Sequence, residues 1–365
     1  MDKDLFYMKK ALDLAKKGAG RVSPNPMVGA VIVKDGEIIG SGYHKEYGGA
    51  HAEVNAISSC TNDLYGSTIY VTLEPCCHYG KTPPCTDVII KSGIKRVVVG
   101  SVDNNPLVSG QGIDKLEKHG IKVESSVLRE KCDEINEVFF YSNRVHKPFV
   151  IMKYGMTADG KIATVTGESK WITTEKSREK VHKTRNDLSS IMVGIGTVLK
   201  DDPLLTCRTT DGKNPIRIIC DSQLKLPLSS KIVKTAKNIK TVVATISEDN
   251  NKIQILENLG VEVITVSNLN ERLDLNDLMK KLWDLKINSI LLEGGSTLNY
   301  SALESGIVDR LNIYIAPKIF GGSRSISPIG GEGVSDIKNA FKLKYRKTTM
   351  FDEDILIEYD VLTKR

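Results

Sequence analysis

The chain has 365 residues, 40% hydrophobic and 26% charged, which is more apolar material than one ordinary core takes up, so two globular domains are expected. Its longest apolar runs, such as Val97-Val98-Val99 and Ile290-Leu291-Leu292, fall far short of the ~20 residues of a membrane-spanning helix. The net charge of +6 comes from scattered Lys and Arg rather than a basic stripe, which disfavours nucleic acid as a partner and suits an anionic small molecule.

In chain order, Leu5 to Lys17 carries apolar residues at helical spacing. Met27 to Val33 and Ile38 to Tyr43 read as strands joined by Asp35-Gly36, the dipeptide of a two-residue hairpin turn. A helix over Ala52 to Ser59, a strand over Ser67 to Leu73, a helix over Thr86 to Ser92 and a strand over Arg96 to Val102 follow. The helix Ile113 to His119 ends at Gly120, which adopts a left-handed cap at little cost, and a short strand runs from Ile121 to Glu124. One long helix is expected from Leu128 to about Asn143. This alternation predicts a three-layer α/β/α domain over residues 1–145, its sheet covered on both faces.

The polar stretch Arg144-Val145-His146-Lys147-Pro148 ends in a proline that keeps the preceding residue extended, and the second domain is placed over residues 146–365. Strands are expected at Phe149 to Tyr154, Ser190 to Gly194, Ile216 to Cys220, Thr241 to Ile246, Val261 to Val266 and Ser289 to Leu292, with helices such as Glu175 to Arg185 and Leu275 to Leu285 between them. Arg310 to Ile315 and Ile355 to Val361 close the chain without a following long helix. The second domain is therefore α/β with an antiparallel ending.

The most informative residues are His51-Ala52-Glu53 and, beyond a strand, Pro75-Cys76 and Cys85. One imidazole and two thiolates suit zinc and leave the fourth tetrahedral position for a water, whose acidity the metal raises. Glu53, two residues past His51 and not itself a ligand, is the candidate catalytic proton shuttle. Both ligand segments sit at predicted helix starts, where the helix end favours thiolate. A lone His-x-Glu or two nearby cysteines carry little information. All four elements in the order used by zinc deaminases carry much more. Cys77 complicates the choice of ligand, and Cys76 is preferred because it follows Pro75.

At these positions the chain resembles the riboflavin-biosynthesis deaminases. The resemblance is carried by Pro24-Asn25-Pro26-Met27-Val28-Gly29, His51-Ala52-Glu53, Thr72-Leu73-Glu74-Pro75-Cys76 and His78-Tyr79-Gly80-Lys81-Thr82-Pro83-Pro84-Cys85, whose long spacing between the cysteines differs from that of most nucleoside deaminases. It implies a cytidine-deaminase-like fold, zinc, and deamination of 2,5-diamino-6-(5-phosphoribosylamino)pyrimidin-4(3H)-one to the corresponding uracil. Asn25, His44, His78 and Lys81 would then line the substrate pocket. Lys81 and the histidines can hold a phosphate, while Asn25 offers both donor and acceptor to a ring edge.

No side chain of the second half announces chemistry by itself, because in hydride transfer the cofactor carries the reaction. Its signals are glycine turns after strands, Leu291-Leu292-Glu293-Gly294-Gly295-Ser296-Thr297 and Val193-Gly194-Ile195-Gly196-Thr197, which can present backbone N–H groups to phosphate. Neither is the Gly-x-Gly-x-x-Gly fingerprint of a Rossmann domain. The wider pattern resembles the riboflavin-pathway reductases, whose fold is like dihydrofolate reductase. Its carriers are Lys153, Asp159-Gly160-Lys161-Ile162-Ala163, Ser169-Lys170-Trp171-Ile172-Thr173, Arg185, Asp201-Asp202-Pro203, Leu205-Thr206-Cys207-Arg208 and Glu293-Gly294-Gly295-Ser296. The resemblance implies that NADPH meets Gly155, Trp171, Thr197, Asp201, Ser222, Gly295, Ser296, Thr297, Leu298, Asn299, Tyr300 and Ser301. Lys153, Ser169, Arg185, Leu205, Arg208 and Glu293 would meet the substrate, two arginines suiting a ribose phosphate.

Two other readings remain open at this point: a zinc deaminase acting on nucleic acid, and a non-enzymatic structural zinc module joined to a nucleotide-sensing domain. Seven cysteines is an odd count that argues against a disulfide framework. With the acidic start Met1-Asp2-Lys3-Asp4, unlike a secretory leader, it predicts a cytoplasmic protein. Self-association is left open.

Overall fold

The computed structural model describes residues 3–79, 83–103 and 109–362. The chain divides after His146 into two compact units.

The first unit runs α1 (Lys3–Ala15), β1 (Gly29–Lys34), β2 (Glu37–Tyr43), α2 (Ala52–Ser58), β3 (Thr68–Leu73), α3 (Cys85–Lys91), β4 (Arg96–Ser101), α4 (Gln111–Lys118), β5 (Lys122–Glu124), α5 (Arg129–Ile135) and α6 (Glu137–Val145). Asp35 and Gly36, with φ of 54° and 85°, make the tight turn between β1 and β2. The sheet order is β2-β1-β3-β4-β5, antiparallel around β1 and parallel from β3 to β5. Because successive strand residues point to opposite faces, Ala30, Ile32, Ile69, Val71, Val97 and Val99 pack on one side with Ala52, Ala56, Ile89 and Leu116 from α2, α3 and α4. Val31, Val33, Tyr70 and Val98 meet α1 and Cys132 of α5 on the other.

The single helix expected from Leu128 to Asn143 is two helices, broken at Asn136 with φ −110° and ψ 17°. The cause is tertiary. Asn136 is 3% exposed, and its amide takes a hydrogen bond from Met27 N at 2.8 Å and gives one to Met27 O at 2.9 Å, a pairing that local propensity does not register.

The second unit runs β6 (Phe149–Thr157), α7 (Glu175–Asp187), β7 (Ser190–Gly194), α8 (Ile195–Asp201), β8 (Ile216–Cys220), α9 (Lys231–Lys234), β9 (Thr241–Thr245), α10 (Asn250–Asn258), β10 (Val261–Thr265), the short pair β11 (Asn268–Leu269) and β12 (Arg272–Leu273), α11 (Leu275–Asp284), β13 (Ser289–Leu292), α12 (Ser296–Glu304), β14 (Arg310–Ala316), β15 (Lys342–Phe351) and β16 (Asp354–Leu362). Its main sheet has the order β10-β9-β8-β7-β13-β6-β14-β16-β15. Strands are parallel from β10 to β14 and antiparallel beyond. Central strands are apolar on both faces, Ile218 and Val242 facing α11 and α12 while Ile219 and Val243 face α8, α9 and α10. The edge strand β15 escapes sequence reading: its side chains are mostly exposed, so no buried face imposes an apolar alternation.

Candidate active sites

In the first unit, His51 caps the N-terminus of α2 with its backbone still extended. Cys85 opens α3 directly after Pro84. Cys76 lies in the loop after β3, tied to that helix start by Cys85 N–H donating to its Sγ at 3.4 Å and Thr86 N–H donating to its carbonyl at 3.2 Å. His51 Nδ1 is 3.3 Å from Cys85 Sγ and 3.6 Å from Cys76 Sγ, and all three donor atoms lie within 4.8 Å of one another. Nitrogen and sulfur ligands of one tetrahedral zinc stand about 3.6 Å apart, so this donor set fits the metal and closes three of its four positions. Cys77 is outside the group.

The hydrogen bond from the Cys85 thiol brings Cys76 down to about 4 against the effect of burial, with His51 assisting. Cys85 moves well above a free thiol because it supplies that proton. Both sulfurs become ligands only once the proton leaves, so metal affinity falls as pH falls. Glu53 is 3% exposed, and burial first, then the Cys76 charge, raises its carboxyl to about 7. A buried carboxyl beside the donor cluster can both take and give a proton.

A cavity of about 330 Å³ opens on these groups, lined also by Asn25, His44, His78, Asp103 and Phe139. His44 Nδ1 is 3.1 Å from Ala50 O, which can only accept, so Nδ1 carries the proton and Nε2 accepts from Asn25 Nδ2 at 3.2 Å. Burial holds this imidazole below its ordinary value, hence neutral. Lys81 lies outside the described residues. Sequence reading missed Asp103, Phe139 and the part played by Glu74. The buried Glu74 carboxylate accepts from Asp103 N (3.2 Å), Gly110 N (3.0 Å), Gly112 N (2.9 Å) and Ile113 N (3.3 Å), binding the segment that carries Asp103 to the ligand loop. A Cβ at Gly112 would stand 2.2 Å from Pro75 O, so this approach needs glycine.

In the second unit the two glycine turns meet. β7 and β13 are parallel neighbours, and Gly194 N–H donates to Gly294 O at 2.8 Å. α8 and α12 start there, and a Cβ on Gly295 would lie 3.7 Å from Thr197 Oγ1. Two helix N-termini thus open at the carboxyl ends of adjacent strands, a placement suited to a phosphate-bearing cofactor. Ser222 follows the next strand, β8, Asp201 ends α8, and Gly155 lies on β6. Trp171 is 60% exposed, with the Arg178 guanidinium 4.5 Å from its ring centre. Ser296 is half-buried and Thr297 exposed at the turn. Farther along α12, three of the expected cofactor contacts turn inward. Leu298 packs on the core, Asn299 Nδ2 donates to Pro328 O at 2.9 Å and Tyr300 Oη donates to Gly333 O at 2.9 Å, while Ser301 lies one residue beyond.

Beside this turn Arg185 forms a two-pronged pair with Glu293, Nε to Oε1 at 2.8 Å and Nη2 to Oε2 at 2.9 Å, and its Nη1 donates to Thr206 O at 3.0 Å. Burial alone would raise Glu293, but the charges of Arg185 and Lys153 outweigh it and bring the carboxyl to about 2. Burial lowers Lys153, with Glu293 opposing. Leu205 has φ 54° and buries its side chain in the core, so it offers a ligand only backbone. Ser169 is half-buried in the loop before α7. The exposed Arg208 lines an open cavity of about 760 Å³ with His182. His182 was missed by sequence reading, although it stands three residues before Arg185 and so on the same helix face.

Residues 148–357 match the family described as the RibD C-terminal domain, and residues 1–101 match the cytidine and deoxycytidylate deaminase zinc-binding region. The chain is 54% identical over 360 residues to the riboflavin biosynthesis protein RibD of Actinobacillus pleuropneumoniae, covering 99% of this chain and 96% of that protein. Identity to the Escherichia coli RibD is 36%, over 97% and 98% of the two chains. The crystal structure of a diaminohydroxyphosphoribosylaminopyrimidine deaminase/5-amino-6-(5-phosphoribosylamino)uracil reductase from Thermotoga maritima superposes with a TM-score of 0.88 at 42% identity, over 99% of each chain. The chain belongs to the RibD family of riboflavin biosynthesis proteins. As a RibD-family member it is a bifunctional enzyme, a zinc-dependent deaminase with a cytidine-deaminase-like fold followed by an NADPH-dependent reductase of α/β fold. A nucleic-acid deaminase or a non-enzymatic zinc module would leave the RibD match over residues 148–357 without a role. Among the described residues no helix is long and apolar enough to cross a membrane.

Proposed function

We propose that the deaminase domain, residues 1–145, converts 2,5-diamino-6-(5-phosphoribosylamino)pyrimidin-4(3H)-one and water to 5-amino-6-(5-phosphoribosylamino)uracil and ammonia. The reductase domain, residues 146–365, then reduces the ribosyl chain to give 5-amino-6-(5-phosphoribitylamino)uracil. The observation that carries this reading is the buried Glu53 beside the three-donor cluster of His51, Cys76 and Cys85, with Glu53, His51 and Cys76 lining a cavity. His51, Cys76 and Cys85 would hold the zinc, which would supply an acidified water. Glu53 would take one proton of that water and give it to the ring nitrogen, then take the proton of the newly attached hydroxyl and give it to the departing amine, so that both water protons are accounted for as ammonia leaves. Asn25, His44, His78 and Lys81 hold the substrate.

In the reductase, NADPH supplies the hydride. Gly155, Trp171, Thr197, Asp201, Ser222 and the turn Gly295, Ser296 and Thr297 hold the cofactor. Glu293 fills the Arg185 fork and offsets the Lys153 charge, while Arg185 holds the Thr206 carbonyl. Arg208, exposed on the cavity lining, takes the substrate phosphate, and Ser169 and Leu205 make further substrate contacts. The partners on this reading are small phosphoribosyl compounds rather than nucleic acid or membrane. The location is the cytoplasm, where cysteines stay out of disulfides.

Mass analysis of products from the diaminopyrimidine nucleotide tests the whole reading. Without NADPH the deaminated uracil alone should accumulate, and with NADPH the ribityl compound. Failure to release ammonia would overturn the deaminase assignment, and an unreduced product with NADPH present would overturn the reductase.

A further inference from the structure

Residue 101 is the last one matched to the zinc-binding deaminase region, yet the cavity above the zinc donors is completed by α6, beyond that limit. Asn136, at the break before α6, holds Met27 by both backbone groups, at 2.8 and 2.9 Å. Pro26, whose ring fixes φ, stands between Met27 and Asn25. Asn25 in turn meets His44 at 3.2 Å, and His44 meets Ala50 O at 3.1 Å, next to the ligand His51. Three residues after Asn136, and so on the same side of the helix, Phe139 lines the cavity with Glu53 and Asp103. The second phenyl-type ring on the lining, Tyr47, is 48% exposed, whereas Phe139 is half-buried.

We propose that Phe139 is a specificity residue of the deaminase, packing its ring against the planar aminopyrimidine, and that Asn136 is a positioning residue that sets the Asn25 edge of the pocket. The inference rests on the aminopyrimidine reading above and deepens it. A single-ring base carries its hydrogen-bonding groups on its edge and offers apolar faces. The edge is served by Asn25, His44, Glu53 and Asp103, and a face is served by an aromatic ring. The amide clamp fixes both at once, because the residue that anchors the Asn25 loop also starts the helix that delivers Phe139.

The test uses the full zinc-loaded chain and the diaminopyrimidine nucleotide. Phe139→Leu should raise KM about tenfold, the effect of losing one stacked ring, with kcat changed by no more than about threefold. Phe139→Tyr should restore the wild-type KM. The same tenfold shift should appear in the calorimetric Kd of the substrate when Phe139→Leu is placed in a Glu53→Gln chain, whose turnover is about 100-fold slower. Asn136→Asp, which keeps the acceptor for Met27 N–H but loses the donor, should lower kcat/KM about tenfold at unchanged zinc content. Unchanged zinc content in each variant reports that the deaminase unit is folded. An unchanged KM in Phe139→Leu, or no recovery in Phe139→Tyr, overturns the proposal while wild-type deamination leaves the activity reading intact. A wild-type chain that does not deaminate overturns both. If Asn136→Asp fails to fold, the Phe139 variants decide.

Discussion

The two units solve the same problem, positioning groups around a small phosphorylated substrate, by opposite means. In the deaminase unit the chemistry sits in side chains drawn from a short stretch, His51 to Cys85, at two helix starts and one loop next to a single strand end. In the reductase unit the charged cluster joins Lys153, Arg185 and Glu293, which are far apart in sequence, and the turn proposed for the cofactor is made of backbone from two separate strand-to-helix junctions. A metal site demands particular donor atoms at fixed distances, so it leaves a dense signature. A cofactor that carries its own reactive atom asks only for shape, charge and N–H groups. The difference predicts that single substitutions should disable the first site outright and the second by degrees.

The largest effect should come from Cys85→Ser. It should remove zinc, about one ion per chain in the wild type, and reduce deamination to background while reduction of the uracil intermediate continues. Glu53→Gln should keep the zinc and cut deamination by a factor of about 100. Metal analysis beside the two assays separates ligand from proton shuttle, and a zinc-free Cys85→Ser chain with full deaminase activity would sink the assignment.

Glu293→Gln sharpens the comparison from the other side. It leaves Arg185 and Lys153 without their shared counter-charge, and breaking such an enclosed pair costs about 3 kcal/mol, visible in the urea unfolding of the reductase unit. Glu293 is held below its unfolded value of 4.5, at about 2, so its contribution is present above pH 4.5 and is lost as pH falls towards 2. Wild type and Glu293→Gln should therefore converge in stability across that window. Parallel acid profiles would mean that the pair contributes nothing.

The smallest effect is expected at Arg208, which is exposed. Arg208→Ala should raise KM for the uracil intermediate about tenfold and leave NADPH binding, followed by fluorescence titration, within about twofold. Equal losses for both ligands would place Arg208 at the cofactor instead.

Much of the first unit could be read directly. The Asp35-Gly36 hairpin, the alternating faces of β1, β3 and β4, and the spacing of His51, Glu53, Cys76 and Cys85 follow from local chemistry: strand period, turn dihedrals, and the few residue types that bind zinc. The central parallel strands of the second unit were legible for a related reason, since burial on both faces writes continuous apolar runs. The rest depended on partners distant in sequence. Asn136 breaks a helix because Met27 lies across from it, and Glu74 gathers four backbone N–H groups from a segment some thirty residues on. Asn299 and Tyr300 face inward because Pro328 and Gly333 receive them. β15 forms because β16 offers an open edge, although its own side chains bury almost nothing. Local pattern determines which residues can form an element or bind a metal, because those preferences lie within a few bonds. Which face receives a buried amide, which carboxylate meets which arginine, and which ring closes a cavity are fixed only when the layers pack, because those energies belong to pairs the sequence keeps apart.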